Sequence, residues 1–399
     1  MERTENGVCC PGFMAGGVKR KDGYGVALIM SDGDANSAMM ITSNRVKAAP
    51  ILVSLDHYKA GDIRAIVASS GCANAYTGEE GIKDAERMCG LAAEKLGLKA
   101  ENVLVASTGL IGKRLDVGAI ESGLKSIELR SSKEASLGAA NAIRTTDRYS
   151  KTISVKTKLD TGEVVDVGGI AKGAGMIAPD LGHATMLCFI TTNAFVPEDK
   201  IRASLEEAVA QSFNMTIVDG DTSTNDMVVL LANGKAGNRD IDENFQDALN
   251  FVTRELAKLM AKDGEGATKL LEVEVHCAKT RDDAMRAAKS IASSILVKAA
   301  FFGEDPNWGR IVAALGYSGA DFDPSAISIS YSSSRGAVEL VKKGEVLVNE
   351  ERERLRAKNI IKGDEIRVIV DLDSGDGRAV AYGCDLSLDY VRLNSSYAT

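Results

Sequence analysis

Gly168-Gly169-Ile170-Ala171-Lys172-Gly173-Ala174-Gly175-Met176-Ile177-Ala178-Pro179 runs into Asp180-Leu181-Gly182-His183-Ala184-Thr185-Met186-Leu187-Cys188-Phe189-Ile190, a glycine-rich approach to a β-type apolar run. Glycines reach backbone geometries closed to other residues, so a strained peptide bond can be presented just ahead of the strand, with Thr185 as its first residue. The small residues Gly182 and Ala184 leave that bond accessible. A threonine so placed has a specific use. Its Oγ attacks the preceding carbonyl, the acyl group shifts from nitrogen to oxygen, and water hydrolyses the ester, leaving a new chain that begins at Thr185. An α-amine has an intrinsic pKa near ~8, so the freed amine can take the proton of the same residue's hydroxyl. One residue then supplies nucleophile and base. The plainer alternative is a loop that enters a core strand and does nothing more.

Strand-like and helix-like periods alternate on both sides of this segment, without an internal repeat or a low-complexity linker, so the composition reads as mixed α and β. Ile63 to Ala68 and Val103 to Ala106 are short β-rich runs that end in the small-residue turns Ser69-Ser70-Gly71-Cys72 and Ser107-Thr108-Gly109. Between them Ile82, Ala85, Cys89, Ala92 and Leu96 recur at helical spacing, and Gly97 supplies a stop. Further on, Phe245, Leu249, Val252, Leu256 and Leu259 mark an amphipathic helix that ends at Asp263-Gly264. Ala284, Ala288, Ile291, Ile295 and Ala299 mark another. Ile366, Val368 and Val370 alternate with polar positions, Ser374-Gly375-Asp376-Gly377 turns the chain, and Ala379 to Tyr382 returns as a strand. The polar tail Tyr390 to Thr399 is ordered only if something holds it.

Composition narrows the function classes. The 399 residues are 45% hydrophobic and 26% charged, enough for one large core or two ordinary ones and without the signature of disorder. The net charge is -8 and the basic residues are scattered, which argues against a nucleic-acid partner. The longest apolar runs fall short of the ~20 residues that span a bilayer, and the acidic start lacks a signal-peptide core, so the expectation is a cytoplasmic protein with no membrane partner. Seven cysteines without C-x-x-C spacing argue against a disulfide framework or a thiolate metal site. With three histidines (His57, His183 and His276) neither a Ser-His-Asp triad nor a poly-His centre has much material. The oxygen-rich Asp219-Gly220-Asp221-Thr222-Ser223-Thr224-Asn225-Asp226 lacks the spacing and distal Glu of an EF-hand and reads as a turn between strands. No metal and no tightly bound cofactor are expected.

Lys172-Gly173-Ala174-Gly175-Met176-Ile177-Ala178-Pro179, then Ala184-Thr185-Met186-Leu187, resembles the processing-site signature of the ornithine acetyltransferase family, also called glutamate N-acetyltransferase. The similarity extends over Ala15-Gly16-Gly17-Val18, Thr42-Ser43-Asn44-Arg45, Ser70-Gly71-Cys72-Ala73-Asn74-Ala75, Ser107-Thr108-Gly109-Leu110-Ile111-Gly112 and Thr145-Thr146-Asp147. It continues through Ser212-Phe213-Asn214, the Asp219 to Asp226 segment, Asp263-Gly264-Glu265-Gly266 and Asp305-Pro306-Asn307-Trp308-Gly309-Arg310, so it runs essentially end to end. Pro179 to Thr185 is longer than the family's usual Pro-Asn-Met-Ala-Thr, and His183 matches no family role.

The resemblance implies an α/β fold, a layered α-β-β-α sandwich similar to self-processing N-terminal-nucleophile enzymes. It also implies cleavage between Ala184 and Thr185 into chains 1–184 and 185–399 that share one core and pair further into a heterotetramer. Thr185 is then the nucleophile, and Thr108 with Gly109 forms the oxyanion hole. The implied substrate contacts are Thr145 or its neighbour Thr146, Lys172, Thr185, Glu265, Asn394 and Thr399. The implied reaction is ping-pong transfer of acetyl from N-acetylornithine to glutamate, with acetyl-CoA a further donor in some relatives. Two other readings stay open at this level: a self-processing aminopeptidase or amidase, in which water replaces glutamate, and an uncleaved binding protein that keeps the scaffold alone.

Overall fold

Ala65–Cys72 and Val103–Leu110, the two β-rich runs with small-residue turns, are parallel neighbours in a four-stranded sheet ordered Phe13–Lys19, Gly25–Ser31, Ala65–Cys72, Val103–Leu110. The computed structural model describes residues 1–21, 23–178 and 186–396. The Ala184–Thr185 junction, His183 and Thr399 lie outside the described residues. A six-stranded sheet is ordered Glu2–Thr4, Lys151–Lys158, Val164–Lys172, Leu187–Thr192, Met227–Ala232, Asn36–Ile41.

Side-chain alternation with period two divides the four-stranded sheet between two cores. Ala27, Ile29, Ile66, Ala68, Leu104 and Ala106 face inward and pack with Ile170, Leu187, Phe189, Met227, Val229 and Leu231 of the six-stranded sheet. Their neighbours Val26, Leu28, Ala65, Val67, Val103 and Val105 face outward onto Ala85, Met88, Cys89 and Ala92 of the helix Gly78–Leu96 and onto Ile120 and Leu124 of the helix Val117–Ser126. Gly97 ends the first of these helices in the left-handed region, at φ 67°, its N–H returning to the Ala93 carbonyl. On the outer face of the six-stranded sheet, the helix Glu198–Ala210 packs on the strand Asn36–Ile41. The helix Glu243–Lys262 buries Phe245, Leu249, Val252 and Leu256, and a Cβ on Gly169 would meet Leu256 at 3.1 Å. The layers are therefore α-β-β-α, as expected from the resemblance.

These elements belong to one compact unit, Met1–Asn214 with Asp221–Leu256, except that the helix Glu243–Lys262 runs on past Leu256. A second unit comprises Met215–Gly220 and the chain from Ala257. Its seven-stranded sheet is ordered Thr216–Ile217, Gly377–Cys384, Leu270–Ala278, Glu365–Asp371, Ser328–Ser333, Gly336–Lys342, Glu345–Val346. Glu365–Asp371 and Gly377–Cys384 are thus not partners, because Leu270–Ala278 lies between them. The turn steps over the end of that middle strand, with the Ser374 and Gly375 amides donating to the Cys277 carbonyl at 2.8 and 3.1 Å. A Cβ on Gly377 would sit 2.3 Å from the Thr280 carbonyl oxygen, so the crossing needs glycine.

The helix expected through Ala284 and Ala299 is two helices, Arg281–Ser293 and Ile295–Phe302. Ser294 takes extended backbone angles and its hydroxyl accepts from the Val297 amide, capping the second helix. The break leaves Ile295 exposed, at 69%, although its spacing matched the buried positions before it. The polar tail is a helix, Leu388–Ser396.

Candidate active site

Three residues singled out from sequence converge in the first unit. Lys172, at the end of the strand Val164–Lys172, donates from Nζ to the Thr108 hydroxyl at 3.1 Å and to the Thr145 hydroxyl at 2.8 Å. Lys172 and Thr108 are 4% and 6% exposed, so the ammonium is held in the protein rather than in solvent. Thr145 is the member of the threonine pair that the lysine holds, whereas Thr146 is exposed. Gly109 follows Thr108 at φ 131°, and a Cβ there would fall 2.4 Å from the Gly71 carbonyl carbon. Only glycine allows the strand end to turn this close to its neighbour.

Glu265 and Asn394 meet in the second unit, the Asn394 amide donating to the Glu265 carboxylate at 2.9 Å. That contact holds the terminal helix at its last turn. Ala184, Thr185 and Thr399 are outside the described residues, so the nucleophile and the terminal substrate contact remain expectations. Among the described residues no group of three His, Cys, Asp or Glu side chains converges as a metal site would require.

Sequence reasoning missed the residues that hold this group in place. Asp147 is the first. One carboxylate oxygen accepts from Lys151 Nζ and from the Gly173 amide, each at 2.7 Å, and the other accepts from the Thr145 amide at 3.0 Å. The Asp147 and Lys151 side chains are both fully buried. Burial pushes the Asp147 carboxyl up, but the Lys172 and Lys151 cations and the Gly173 amide outweigh it and hold the group below the usual carboxylate range. Asp147 thereby fixes both the backbone of Thr145 and the residue after Lys172.

Asn225 is the second. Its side-chain amide donates to the Ser107 carbonyl at 2.8 Å and the Ala73 carbonyl at 2.6 Å, and its oxygen accepts from the Thr224 hydroxyl at 2.6 Å. Fixing the Ser107 carbonyl fixes the plane of the peptide that leads into Thr108. Its neighbour Asp226 is wholly buried beside the Met186 and Ser223 amides and the Thr42 hydroxyl, yet neither carboxylate oxygen makes a hydrogen bond of ordinary geometry. Burial drives its carboxyl well above the usual range. The segment read as a simple turn therefore delivers two polar side chains into the core.

Lys19 is the third. Half-buried at the end of the strand Phe13–Lys19, it donates to the Ser70 hydroxyl at 2.8 Å and to the Arg144 carbonyl. Burial, reinforced by the nearby Lys172 cation, lowers its pKa to about 8.

Fold and site together define an α-β-β-α sandwich protein with a lysine-threonine cluster that joins the ends of its two sheets. Residues 12–399 match the ArgJ family. A glutamate N-acetyltransferase of Methanocaldococcus jannaschii is 48% identical over 100% of both chains. One of Methanothermobacter thermautotrophicus is 49% identical over 98% of this chain and 97% of its own. The arginine biosynthesis bifunctional protein ArgJ of Caldanaerobacter subterraneus is 46% identical over 97% of each. The chain belongs to the ArgJ family.

Proposed function

We propose that the chain is a glutamate N-acetyltransferase of arginine biosynthesis that moves an acetyl group from N-acetylornithine to glutamate by way of acetyl-Thr185. The observation that carries this reading is the Lys172 ammonium bound to the Thr108 and Thr145 hydroxyls beside the Gly109 turn. It sets a fixed cation at the end of the six-stranded sheet from which the Leu187–Thr192 strand also starts, two residues after Thr185, and holds there the Thr108 hydroxyl of the four-stranded sheet and that of Thr145. The names of the two relatives at 48 and 49% identity support the choice of glutamate as acceptor, and that of the relative at 46% supports arginine biosynthesis.

In this scheme the chain first cuts itself between Ala184 and Thr185. The freed α-amine takes the Thr185 hydroxyl proton as Oγ attacks the acetyl carbon of N-acetylornithine, and the proton passes to the departing ornithine nitrogen. Thr108 and the Gly109 amide face the oxyanion formed in each half-reaction. Glutamate's amine then attacks the ester, giving N-acetylglutamate and restoring the threonine. Lys172, Thr145, Glu265, Asn394 and Thr399 contact the amino-acid substrate, with Lys172 a suitable partner for a carboxylate and Glu265 for an ammonium. Acetyl-CoA enters the scheme only as an alternative donor. A heterotetramer of two cleaved copies and a cytoplasmic setting belong to the same proposal.

The test is ornithine release from N-acetylornithine with and without glutamate. Sustained release that requires glutamate is expected. Equal release in its absence would mean that water is the acceptor and would replace transfer by amide hydrolysis.

A further inference from the structure

Lys19 plays no part in the scheme above, yet its surroundings are those of a cation awaiting an anion. An ammonium has three hydrogens to donate. Two are used on neutral oxygens, those of Ser70 and of the Arg144 carbonyl. Ser70 in turn gives its own hydrogen to the Ala142 carbonyl at 2.6 Å, so it can serve Lys19 only as an acceptor.

Among the described residues, the charges around Lys19 do not balance it. Lys172 and Arg144 are close enough to oppose its charge, and Asp147 to favour it. Asp147, however, is committed to Lys151 and to two backbone amides. Asp226, which lies within reach of the Lys172 charge, is driven by burial toward its neutral form. The described residues thus form a half-buried cluster with cationic excess, well suited to binding a carboxylate.

Position selects which carboxylate. Ser70, which Lys19 grips, is the register partner of Thr108 on the adjacent strand, and neighbouring strands lie ~4.8 Å apart. Lys19 therefore sits about one strand spacing to the side of the group meant to face the acyl carbon. The α-carboxylate of N-acetylornithine or glutamate is separated from the acyl carbon only by the nitrogen and Cα. The δ-ammonium and γ-carboxylate are several bonds further out.

Resting on the acetyl-transfer reading, we propose that the Lys19 ammonium, alongside that of Lys172, binds the α-carboxylate of the amino-acid substrate in both half-reactions. The same lysine serves donor and acceptor because the two molecules share this carboxylate and differ only in the side chain.

The test compares wild type with Lys19→Gln on N-acetylornithine, on glutamate, and on N-acetyl-1,4-diaminobutane, which lacks the carboxylate. Loss of one charge-assisted hydrogen bond should raise KM for N-acetylornithine and for glutamate about 10-fold or more with kcat little changed. On the diamine the two proteins should perform alike. Lys19→Arg should recover part of the loss. Equal impairment on the diamine, or unchanged KM for the two amino acids, would reduce Lys19 to a strap between Ser70 and the Arg144 carbonyl and overturn the proposal. If wild type transfers no acetyl group, the reading fails separately. Calorimetric binding of N-acetylornithine and of the diamine to both proteins then decides the role of Lys19, since only the former should weaken in the variant.

Discussion

Asp147 joins stability to site geometry through a single carboxylate. It neutralises a fully buried lysine and at the same time aims the Thr145 backbone and the Gly173 amide. Breaking a buried ion pair from one side leaves an uncompensated charge, and Asp147→Asn should cost about 3–5 kcal/mol at neutral pH. The pH dependence follows from the direction of the shift. Because the folded-state pKa is depressed, the stabilisation is complete above the unfolded carboxylate pKa, ~3.9, and is lost as pH falls further through the folded value. Denaturant unfolding should show a large, constant gap between wild type and Asp147→Asn from neutrality down to about pH 4. The gap should narrow only below that. A gap already gone near neutral pH would mean that the pair does not hold the fold. Asp147 was quoted from the sequence as part of a motif, but its role was not legible there. A buried aspartate is recognised by what surrounds it, and one of its partners, Gly173, is 26 residues away.

The Ser107-Thr108-Gly109 turn was legible as an element, because a β-rich run ending in small residues reads as a strand end wherever it occurs. Its support was not. Asn225 reaches Ser107 and Ala73 across 118 and 152 residues, and nothing local in an Asp-Thr-Ser-Thr-Asn-Asp segment separates a side chain aimed into the core from one capping a turn. If Asn225 sets the peptide plane ahead of Thr108, Asn225→Ala should lower kcat for acetyl transfer by roughly 100-fold, with KM near the wild-type value. A raised KM with normal kcat would place Asn225 in substrate binding instead. Other misreadings at this scale have local causes. A serine that can cap a new helix divided one apolar period into two at Ser294. The Ser374 to Gly377 turn was found, but the strand lying between its two arms comes from a hundred residues earlier, and pairing order is invisible to a period-two pattern.

Across the whole chain, the segment before the expected cut and the segment after it are adjacent strands of one sheet. Val164–Lys172 pairs antiparallel with Leu187–Thr192, which lies parallel to Met227–Ala232 on its other side. Ile170 shares a core with Leu187 and Phe189, along with Phe13 and Ile29 from the other sheet. Cutting the chain between residues 184 and 185 would sever none of these pairings, so two fragments would remain one folded body. The mixed α/β content was readable from the alternating periods, because the inward and outward faces of each strand repeat with period two, whereas the layered arrangement came from the resemblance of the motif set. The division into two compact units was not, since its boundaries fall within otherwise regular stretches, the helix Glu243–Lys262 among them. The proposed mechanism turns on Thr185 being freed by self-cleavage and then carrying the acetyl group. The most direct measurement is intact-mass and N-terminal peptide analysis of purified protein incubated with N-acetylornithine in the absence of glutamate. The expected result is two chains divided at Ala184–Thr185, the second heavier by one acetyl group located on Thr185 and restored to its original mass when glutamate is added. A single uncut chain, or an acetyl group on any other residue, would contradict the account.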